Sequence, residues 1–173
     1  MMNDVRIALT GFMGVGKSSV ARHLSQMLRS RRVDLDHVIE SGEKRRIVNI
    51  IDTDGLDRYR EIETHYLEQV LLEPATQILS LGGGTWTMPG NREMLKTHGY
   101  TSVWLEATFE HCWLNISFSR KTRPLARDKQ KALRLFEERQ KIYCLADWHV
   151  TVRPDYSSRD VAKKIADEIF GNV

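Results

Sequence analysis

The stretch IALTGFMGVGKSSVARHL, residues 7–24, decides the fold because it joins three local signals in one run. An apolar segment at 5–10 ends at Gly11, as a buried strand does when a glycine turn follows. Residues 11–18 then match G-x-x-x-x-G-K-S, the pattern of a phosphate-binding loop. From residue 17 to 30, apolar side chains recur at helical spacing. The run therefore predicts a strand, a phosphate cradle and a helix in direct succession.

The chemistry of this loop depends on its backbone and on two side chains. Glycines let backbone N–H groups turn toward phosphate oxygens, and the following helix points its positive N-terminal end at the same anion. Lys17 reaches the β and γ phosphates, and the Ser18 hydroxyl can coordinate Mg²⁺. A chance match has a frequency on the order of one in a hundred chains of this length. The predicted nucleotide contacts are Gly11, Gly14, Val15, Gly16, Lys17, Ser18 and Ser19.

The bulk composition is that of one domain, and we predict a single domain over all 173 residues, 1–173. A net charge of +3 is too small to indicate a nucleic acid partner and is compatible with a pocket for small anions. The chain has 2 cysteines, too few for a disulfide framework, which favours a reducing compartment. No apolar run approaches the ~20 residues of a membrane helix, and no secretory signal is recognisable. A cytoplasmic enzyme or nucleotide switch is expected.

Short apolar segments alternate with helical patterns along the chain, which predicts an α/β fold with a parallel sheet covered by helices on both faces. In such sheets, ligands bind beyond the carboxyl ends of the strands. Polar or glycine-rich residues follow four of these ends, so we expect one site at that edge. The polar segment 119–131 contains a proline and is predicted to be a mobile lid. The predicted strands are 5–10, 31–36, 76–81, 100–107 and 148–152.

Two carboxylates, Asp34 and Asp36, end the second predicted strand. Residues two apart on a strand point to the same side, so both would face the phosphate site. One carboxylate can hold Mg²⁺, usually through water, and the other can accept a hydrogen bond from an attacking hydroxyl. The alternatives are a solvated strand end or an N-cap for a helix that begins near His37.

Three arginines are candidate anion contacts. Arg60 lies three residues before Glu63, a spacing that permits an ion pair and would fix the guanidinium for a carboxylate ligand. Arg123 precedes Pro124 in the predicted lid and can meet a transferring phosphoryl group as the lid closes. Arg139 lies on the helix beyond the lid. The alternatives are an exposed helix salt bridge, a solubilising loop and a surface charge, respectively.

Two glycine-containing segments have different interpretations. Three glycines, 82–84, end the third strand, where they would let backbone approach a ligand closely, although a loose turn is also open. The segment DTDG, 52–55, contains the D-x-x-G of GTP switches but follows a helical pattern. The chain has no Asn-Lys-x-Asp guanine motif, so we interpret DTDG as a turn, which argues against a GTPase.

Taken together, these segments resemble the shikimate kinase family over residues 5–150. The loop alone is common to many kinases, whereas Asp-x-Asp followed by Ile39-Glu40, the YR..E pattern and the glycine triplet are specific in combination. The segments that carry the resemblance occur in the family's order: GFMGVGKSS, DLDHVIE, GLDRYREIE, LGGGTWTMPGNREML, VWLEA, RPLA and RLFEERQKIYCLAD. The resemblance implies a nucleoside-monophosphate-kinase-like P-loop fold, three-layered around five parallel strands.

The resemblance also implies a reaction: transfer of the γ-phosphoryl group of ATP to the 3-hydroxyl of shikimate with Mg²⁺, on the route to chorismate and the aromatic amino acids. Lys17 would hold phosphates, and Ser18 with Asp34 would organise Mg²⁺. Asp36 would bind the shikimate hydroxyls and assist deprotonation. The remaining implied roles are a carboxylate clamp by Arg60 and Arg139, backbone lining of the acceptor pocket by Gly82, Gly83 and Gly84, and a bridge between γ-phosphate and substrate by Arg123.

The chain departs from the family pattern at several positions. Ser19 stands where Thr is usual, and Tyr59 stands where Phe is usual, which keeps the ring and adds a hydroxyl to the acceptor pocket. Asn115 stands where many members carry an arginine beside adenine, so the adenine contact would pass to Arg153 and Pro154 or be weaker. The lid also looks short for the family.

Two other functions stay open from the sequence. The first is a kinase for another hydroxy acid such as gluconate, because Arg60 and Arg139 would suit any carboxylate. The second is a catalytically weak, nucleotide-responsive regulatory protein, which the presence of every named polar residue argues against. The expected partners are ATP and shikimate, without nucleic acid or membrane, bound by a monomer.

Overall fold

Five parallel strands form one sheet in the order β2-β3-β1-β4-β5 in the computed structural model, which describes residues 6–171. Strand β1 pairs with β3 and β4, with Ile7 opposite Ile78 and Thr101. The predicted parallel sheet is therefore confirmed; residue 5 of the first predicted strand lies outside the described residues. The strands are β1 Arg6–Thr10, β2 Arg32–Asp34, β3 Ile78–Ser80, β4 Tyr100–Glu106 and β5 Trp148–Thr151.

Helices cover both faces of this sheet. Three successive residues of β1, Ile7, Ala8 and Leu9, are fully buried although they point alternately to opposite faces. Helix α1 packs on α8, whereas α4 packs on α2, α3 and α5. The α-helices in residues 6–171 are α1 Lys17–Leu28, α2 Leu35–Glu43, α3 Ile47–Asp54, α4 Leu56–Leu72, α5 Pro89–Thr97, α6 Phe109–Phe118, α7 Lys129–Tyr143 and α8 Ser158–Phe170.

The carboxyl ends of β1, β2 and β3 meet at one edge of the sheet, where the phosphate loop, Asp34 and the glycine triplet lie side by side. Gly14 in the loop has a φ of 82°, and a Cβ there would lie 2.5 Å from the Cys112 carbonyl oxygen. Only glycine fits that backbone position, because the obstacle is backbone rather than a flexible side chain. The start of α6 thus packs directly beneath the loop.

Three local predictions are wrong in detail. Strand β2 ends at Asp34, which caps α2 by accepting from the His37 N–H at 3.3 Å, so Asp36 lies in the first helical turn rather than on the strand. The N-cap alternative is therefore the observed one. Residues 52–54 of DTDG form the end of α3, and only Gly55, with φ 89°, joins α3 to α4. Helix α7 begins at Lys129, inside the predicted lid.

Within residues 6–171, no helix combines the length and the apolar character that crossing a membrane requires.

Candidate active site

The Lys17 ammonium is held inside the phosphate loop by the loop's own backbone. Its Nζ donates to the carbonyl oxygens of Gly11 at 2.7 Å and Phe12 at 3.1 Å, and the residue is 9% exposed. Burial lowers the pKa of Lys17 from 10.5 to about 8, and the negative charge of Asp36 partly opposes that shift. Phosphate oxygens near this ammonium would favour its charged form and raise the pKa again.

The Ser18 hydroxyl donates to Asp34 Oδ2 at 2.5 Å beside the loop. A hydroxyl and a carboxylate are oxygen ligands of the kind Mg²⁺ prefers, and Mg²⁺ usually completes its shell with waters and substrate phosphates. Residues 6–171 contain no cluster of three or more His, Cys, Asp or Glu side chains suited to a metal. The donor set therefore fits an ion shared with a phosphate ligand rather than a cage made by protein alone.

A cavity of about 590 Å³ extends from the loop toward α6 and the start of α8. Asn115 on α6 lines it and donates to the Gly14 carbonyl at 2.8 Å, so its amide braces the loop. Pro154 also lines the cavity, as expected for a nucleotide contact. Arg153 does not: its exposed guanidinium donates to Asp155 at 3.2 Å and stacks on Tyr156. The structure therefore does not bring Arg153 to the site.

A second, smaller cavity of about 110 Å³ lies between α3, α4, α7 and the glycine triplet. Arg60 borders it and donates to Glu63 at 2.6 Å, which confirms the expected ion pair. Glu63 is fully buried and also accepts from Thr85 at 2.8 Å and Tyr59 at 3.3 Å. Burial and the charge of Glu63 raise the pKa of Tyr59, so its hydroxyl stays a donor. A buried carboxylate with three donors holds the Arg60 guanidinium in place.

Arg139 borders the same cavity and is 6% exposed. Within residues 6–171 it has no ion-pair partner, and burial lowers the pKa of its guanidinium. The Tyr143 hydroxyl donates to the Gly83 carbonyl beside it. A Cβ on Gly83 would lie 3.1 Å from Arg139 Nη1, and a Cβ on Gly84 would lie 2.1 Å from Arg60 Nη2. Arg139 is thus a buried cation next to an open pocket, an arrangement that suits an anionic ligand.

The two cavities meet at one place. The residues that line both are Met13, Asp36, Gly82, Gly83, Lys121 and Arg123. Arg123 Nη1 is buried without a hydrogen-bond partner, and burial lowers the pKa of the guanidinium while Asp36 opposes the shift. An unpaired buried donor between two pockets is expected where a ligand supplies the missing acceptor. The geometry allows a group to pass from the large cavity to a molecule in the small one.

Sequence reasoning overlooked three groups at this site. His111 lines the large cavity, Thr85 supports Glu63, and Lys121 pairs with Asp36 at 3.3 Å. Thr85 directly follows the glycine triplet, so its position beside a ligand-facing turn was a usable signal. Lys121 lies 85 residues from Asp36, and no local pattern indicates that contact.

A sequence model of the family described as "Shikimate kinase" matches residues 13–170. The shikimate kinase of Ruegeria pomeroyi is 38% identical over 144 residues, 82% of this chain and 72% of that protein. The shikimate kinase of Persephonella marina is 33% identical over 172 residues, 96% of this chain and 98% of that protein. The solved shikimate kinase from Acinetobacter baumannii in complex with shikimate superposes with a TM-score of 0.86 at 33% identity, covering 96% of this chain and 93% of that one.

The superposition covers 96% of the chain, so the fold is that of the P-loop kinases, as the resemblance implied. The chain belongs to the shikimate kinase family.

Proposed function

We propose that this protein transfers the γ-phosphoryl group of ATP to the 3-hydroxyl of shikimate, giving shikimate 3-phosphate and ADP. The observation that carries the proposal is the meeting of a phosphate cavity and a small arginine-lined cavity at Asp36 and Arg123. Membership of the shikimate kinase family supports the identity of both substrates.

On the donor side, the backbone of the loop and Lys17 bind the triphosphate. Ser18 and Asp34 would hold Mg²⁺, which would supply neutralisation of the phosphate charge. Pro154 and the exposed face of α6 leave room for the base. Binding here replaces the two loop carbonyls on the Lys17 ammonium with phosphate oxygens.

On the acceptor side, Arg139 and Arg60 bind the carboxylate of shikimate from two elements of the fold. Arg139 brings an uncompensated positive charge, whereas Glu63 already neutralises Arg60 and fixes its direction. The backbone of Gly82, Gly83 and Gly84 lines the same pocket. This division places the ring of the acid against glycines and its hydroxyls toward Asp36.

The positions of Asp36 and Arg123, which line both cavities, suggest how the phosphoryl group is transferred. Asp36 accepts the proton of the 3-hydroxyl, and the freed oxygen pair forms a bond to the γ phosphorus. The bond between that phosphorus and the β–γ bridging oxygen breaks, and ADP leaves with the electron pair. Arg123 stabilises the charge on the transferring group through its unpaired Nη1. Phosphoryl transfer needs little more from a protein than this alignment and charge neutralisation.

The enzyme is further proposed to be a cytoplasmic monomer. The residues proposed to bind the two substrates come together within one chain, so the proposed site requires no residue from a second copy. Cys112 and Cys144 are both free thiols, which agrees with a reducing compartment. Size-exclusion chromatography with light scattering at micromolar concentration tests the monomer.

The direct test is ADP release from MgATP with shikimate, gluconate or nucleoside monophosphates offered in turn. We expect stimulation by shikimate and none by nucleoside monophosphates. Stimulation by gluconate alone would assign the enzyme to another hydroxy acid. ADP release that no acceptor stimulates, in a protein that binds MgATP, would instead indicate a regulatory protein.

A further inference from the structure

The segment between α6 and α7 carries a lysine directly onto the proposed catalytic carboxylate. Lys121 Nζ lies 3.3 Å from Asp36 Oδ2, and in residues 6–171 it is the one cation that forms an ion pair with Asp36. Lys121 also lines both cavities. Its side chain is 48% exposed, against 28% for Asp36, so the ammonium can leave the contact without crossing packed protein.

Two other cations near Asp36 make no ion pair with it. Lys17 is held by two loop carbonyls, and Arg123 Nη1 has no partner at all. Asp36 is proposed to accept the acceptor hydroxyl, and an ammonium already hydrogen-bonded to one of its oxygens competes for that role. Asp36 therefore contacts the Lys121 ammonium in the free protein and the acceptor hydroxyl in the proposed reacting complex.

We propose that Lys121 occupies the place of the acceptor hydroxyl on Asp36 in the free protein and, once displaced by the acceptor, contacts the transferring phosphoryl group. The inference rests on the proposed function of Asp36. Lys121 has three rotatable donors on a flexible four-carbon stem, which suits a change of partner. When the acceptor hydroxyl binds to Asp36, the ammonium loses its partner there. Lys121 also lines the large cavity, where the anionic phosphoryl group binds, so its ammonium contacts that group instead.

This exchange predicts opposite changes in acceptor binding and in turnover when the ammonium is removed. Lys121→Met should bind shikimate two- to fivefold more tightly without nucleotide, about the strength of an exposed ion pair. The same variant should lose about tenfold or more in kcat, because one cation is missing from the transferring group. Lys121→Arg keeps a cation and should recover most of the turnover. A damaged fold would weaken both properties together and could not produce this pattern.

Arg127 provides a matched control in the same segment. It is an exposed cation that pairs with Asp52 on α3 at 2.8 Å, outside the lining of both cavities. Arg127→Met should change shikimate affinity and kcat by less than about twofold. Calorimetric titration of shikimate and steady-state ADP release, measured on wild type and all three variants, give both quantities.

Wild-type turnover with shikimate tests the proposed function by itself. With that turnover present, tighter shikimate binding and lower kcat in Lys121→Met support the exchange. Unchanged or weaker shikimate binding in that variant, or wild-type kcat, overturns it. The same changes in Arg127→Met would also overturn it, because the effect would then belong to the charge of the whole segment.

Discussion

The nucleotide site and the acceptor site of this protein are built in different ways. The phosphate cradle of the nucleotide site is one continuous segment, residues 11–19, and its backbone geometry depends on Gly14 packing against α6. The acceptor site takes side chains from α2, α3, α4 and α7 and adds backbone beyond β3. A continuous motif thus identifies the donor, whereas the acceptor is identified only after separate elements are brought together.

The two sites also differ in how charge is held. In the phosphate cradle the positive charge is that of Lys17, whose ammonium donates hydrogen bonds to two loop carbonyl oxygens. The acceptor site relies on Arg60, fixed by the fully buried Glu63, and on the unpaired Arg139. Substitutions at the acceptor site should therefore alter the binding of the acid alone, and substitutions of Lys17 should alter the binding of the nucleotide. Variants that separate the two substrates test this division directly.

The largest effect is expected where the sites meet. Asp36→Asn keeps the size of the side chain but removes the base for the acceptor hydroxyl, so kcat should fall by about a hundred- to ten-thousandfold. Binding of MgATP, measured by calorimetry, should stay within a few-fold of wild type. Asp57→Asn, in the first turn of α4, is the control and should leave turnover unchanged. Turnover near the wild-type rate would remove Asp36 from the mechanism.

The next effect is confined to the acid. Arg60→Ala removes a charge-assisted hydrogen bond, worth ~1.5–3 kcal/mol, so kcat/KM for shikimate should fall roughly 10- to 100-fold while the KM for ATP is nearly unchanged. It also leaves Glu63 with only Tyr59 and Thr85 as donors, so the Tm should fall.

Arg58 supplies the matched control on the same helix. It forms an ion pair with Glu61 at 2.6 Å and the same i, i+3 spacing, but both side chains are more than half exposed. Arg58→Ala should leave both substrates and the Tm close to wild type. If Arg60→Ala weakened ATP as much as shikimate, its role would be structural rather than acid-specific.

The sequence was sufficient where a structural rule is local. The strand, loop and helix of 6–28 follow from glycine placement and apolar spacing, and the Arg60–Glu63 pair follows from helical spacing. Parallel sheet geometry then brought the strand ends together. These rules predicted the fold and many of the residues that line the two cavities.

The sequence was insufficient where helix capping or a contact between distant residues determines the position of a side chain. Asp34 ends β2 by capping α2, which turns Asp36 onto a helix, although the sequence pattern alone allowed a longer strand. Arg153 stacks on Tyr156 and pairs with Asp155, and in this arrangement Tyr156 lines the large cavity whereas Arg153 does not. Lys121 reaches Asp36 across 85 residues, a contact that depends on how the segment after α6 folds back.

A moderate effect of pH should appear on the nucleotide side. Lys17 has a pKa of about 8 in the free protein, below its ordinary 10.5, and bound phosphate favours its charged form. Nucleotide affinity should therefore fall as pH rises above about 8, by at most tenfold per pH unit, with proton uptake on binding. The contribution of Lys17 to the free energy of unfolding of the free protein has the opposite pH dependence. It rises with pH between about 8 and 10.5, because the unfolded chain binds more protons than the folded protein in that range.

Calorimetry of MgADP in two buffers of different ionisation enthalpy, from pH 7 to 9.5, measures the proton uptake. An uptake near zero at pH 9 would show that Lys17 is charged in the free protein. Shikimate affinity serves as the internal control, since it should not follow the same pH profile.

The smallest effect concerns the hydroxyl that Tyr59 adds to the acceptor site. Tyr59 donates to Glu63 at 3.3 Å, the longest of the three donors to that carboxylate, and its ring lies 5.3 Å from the Arg60 guanidinium. Tyr59→Phe keeps the ring and removes one neutral donor, so kcat/KM for shikimate should fall about two- to fivefold. The KM for ATP should not change.

Tyr66→Phe is the matched control, because Tyr66 on the same helix donates to Glu43 at 3.1 Å away from both cavities. It should leave kcat/KM for shikimate at the wild-type value. An equal or higher kcat/KM in Tyr59→Phe would show that Arg60 and Thr85 hold Glu63 without help. The orientation of Arg60 would then depend on its ion pair with Glu63 and on the Thr85 hydroxyl, and removal of the Tyr59 hydroxyl would leave that orientation unchanged.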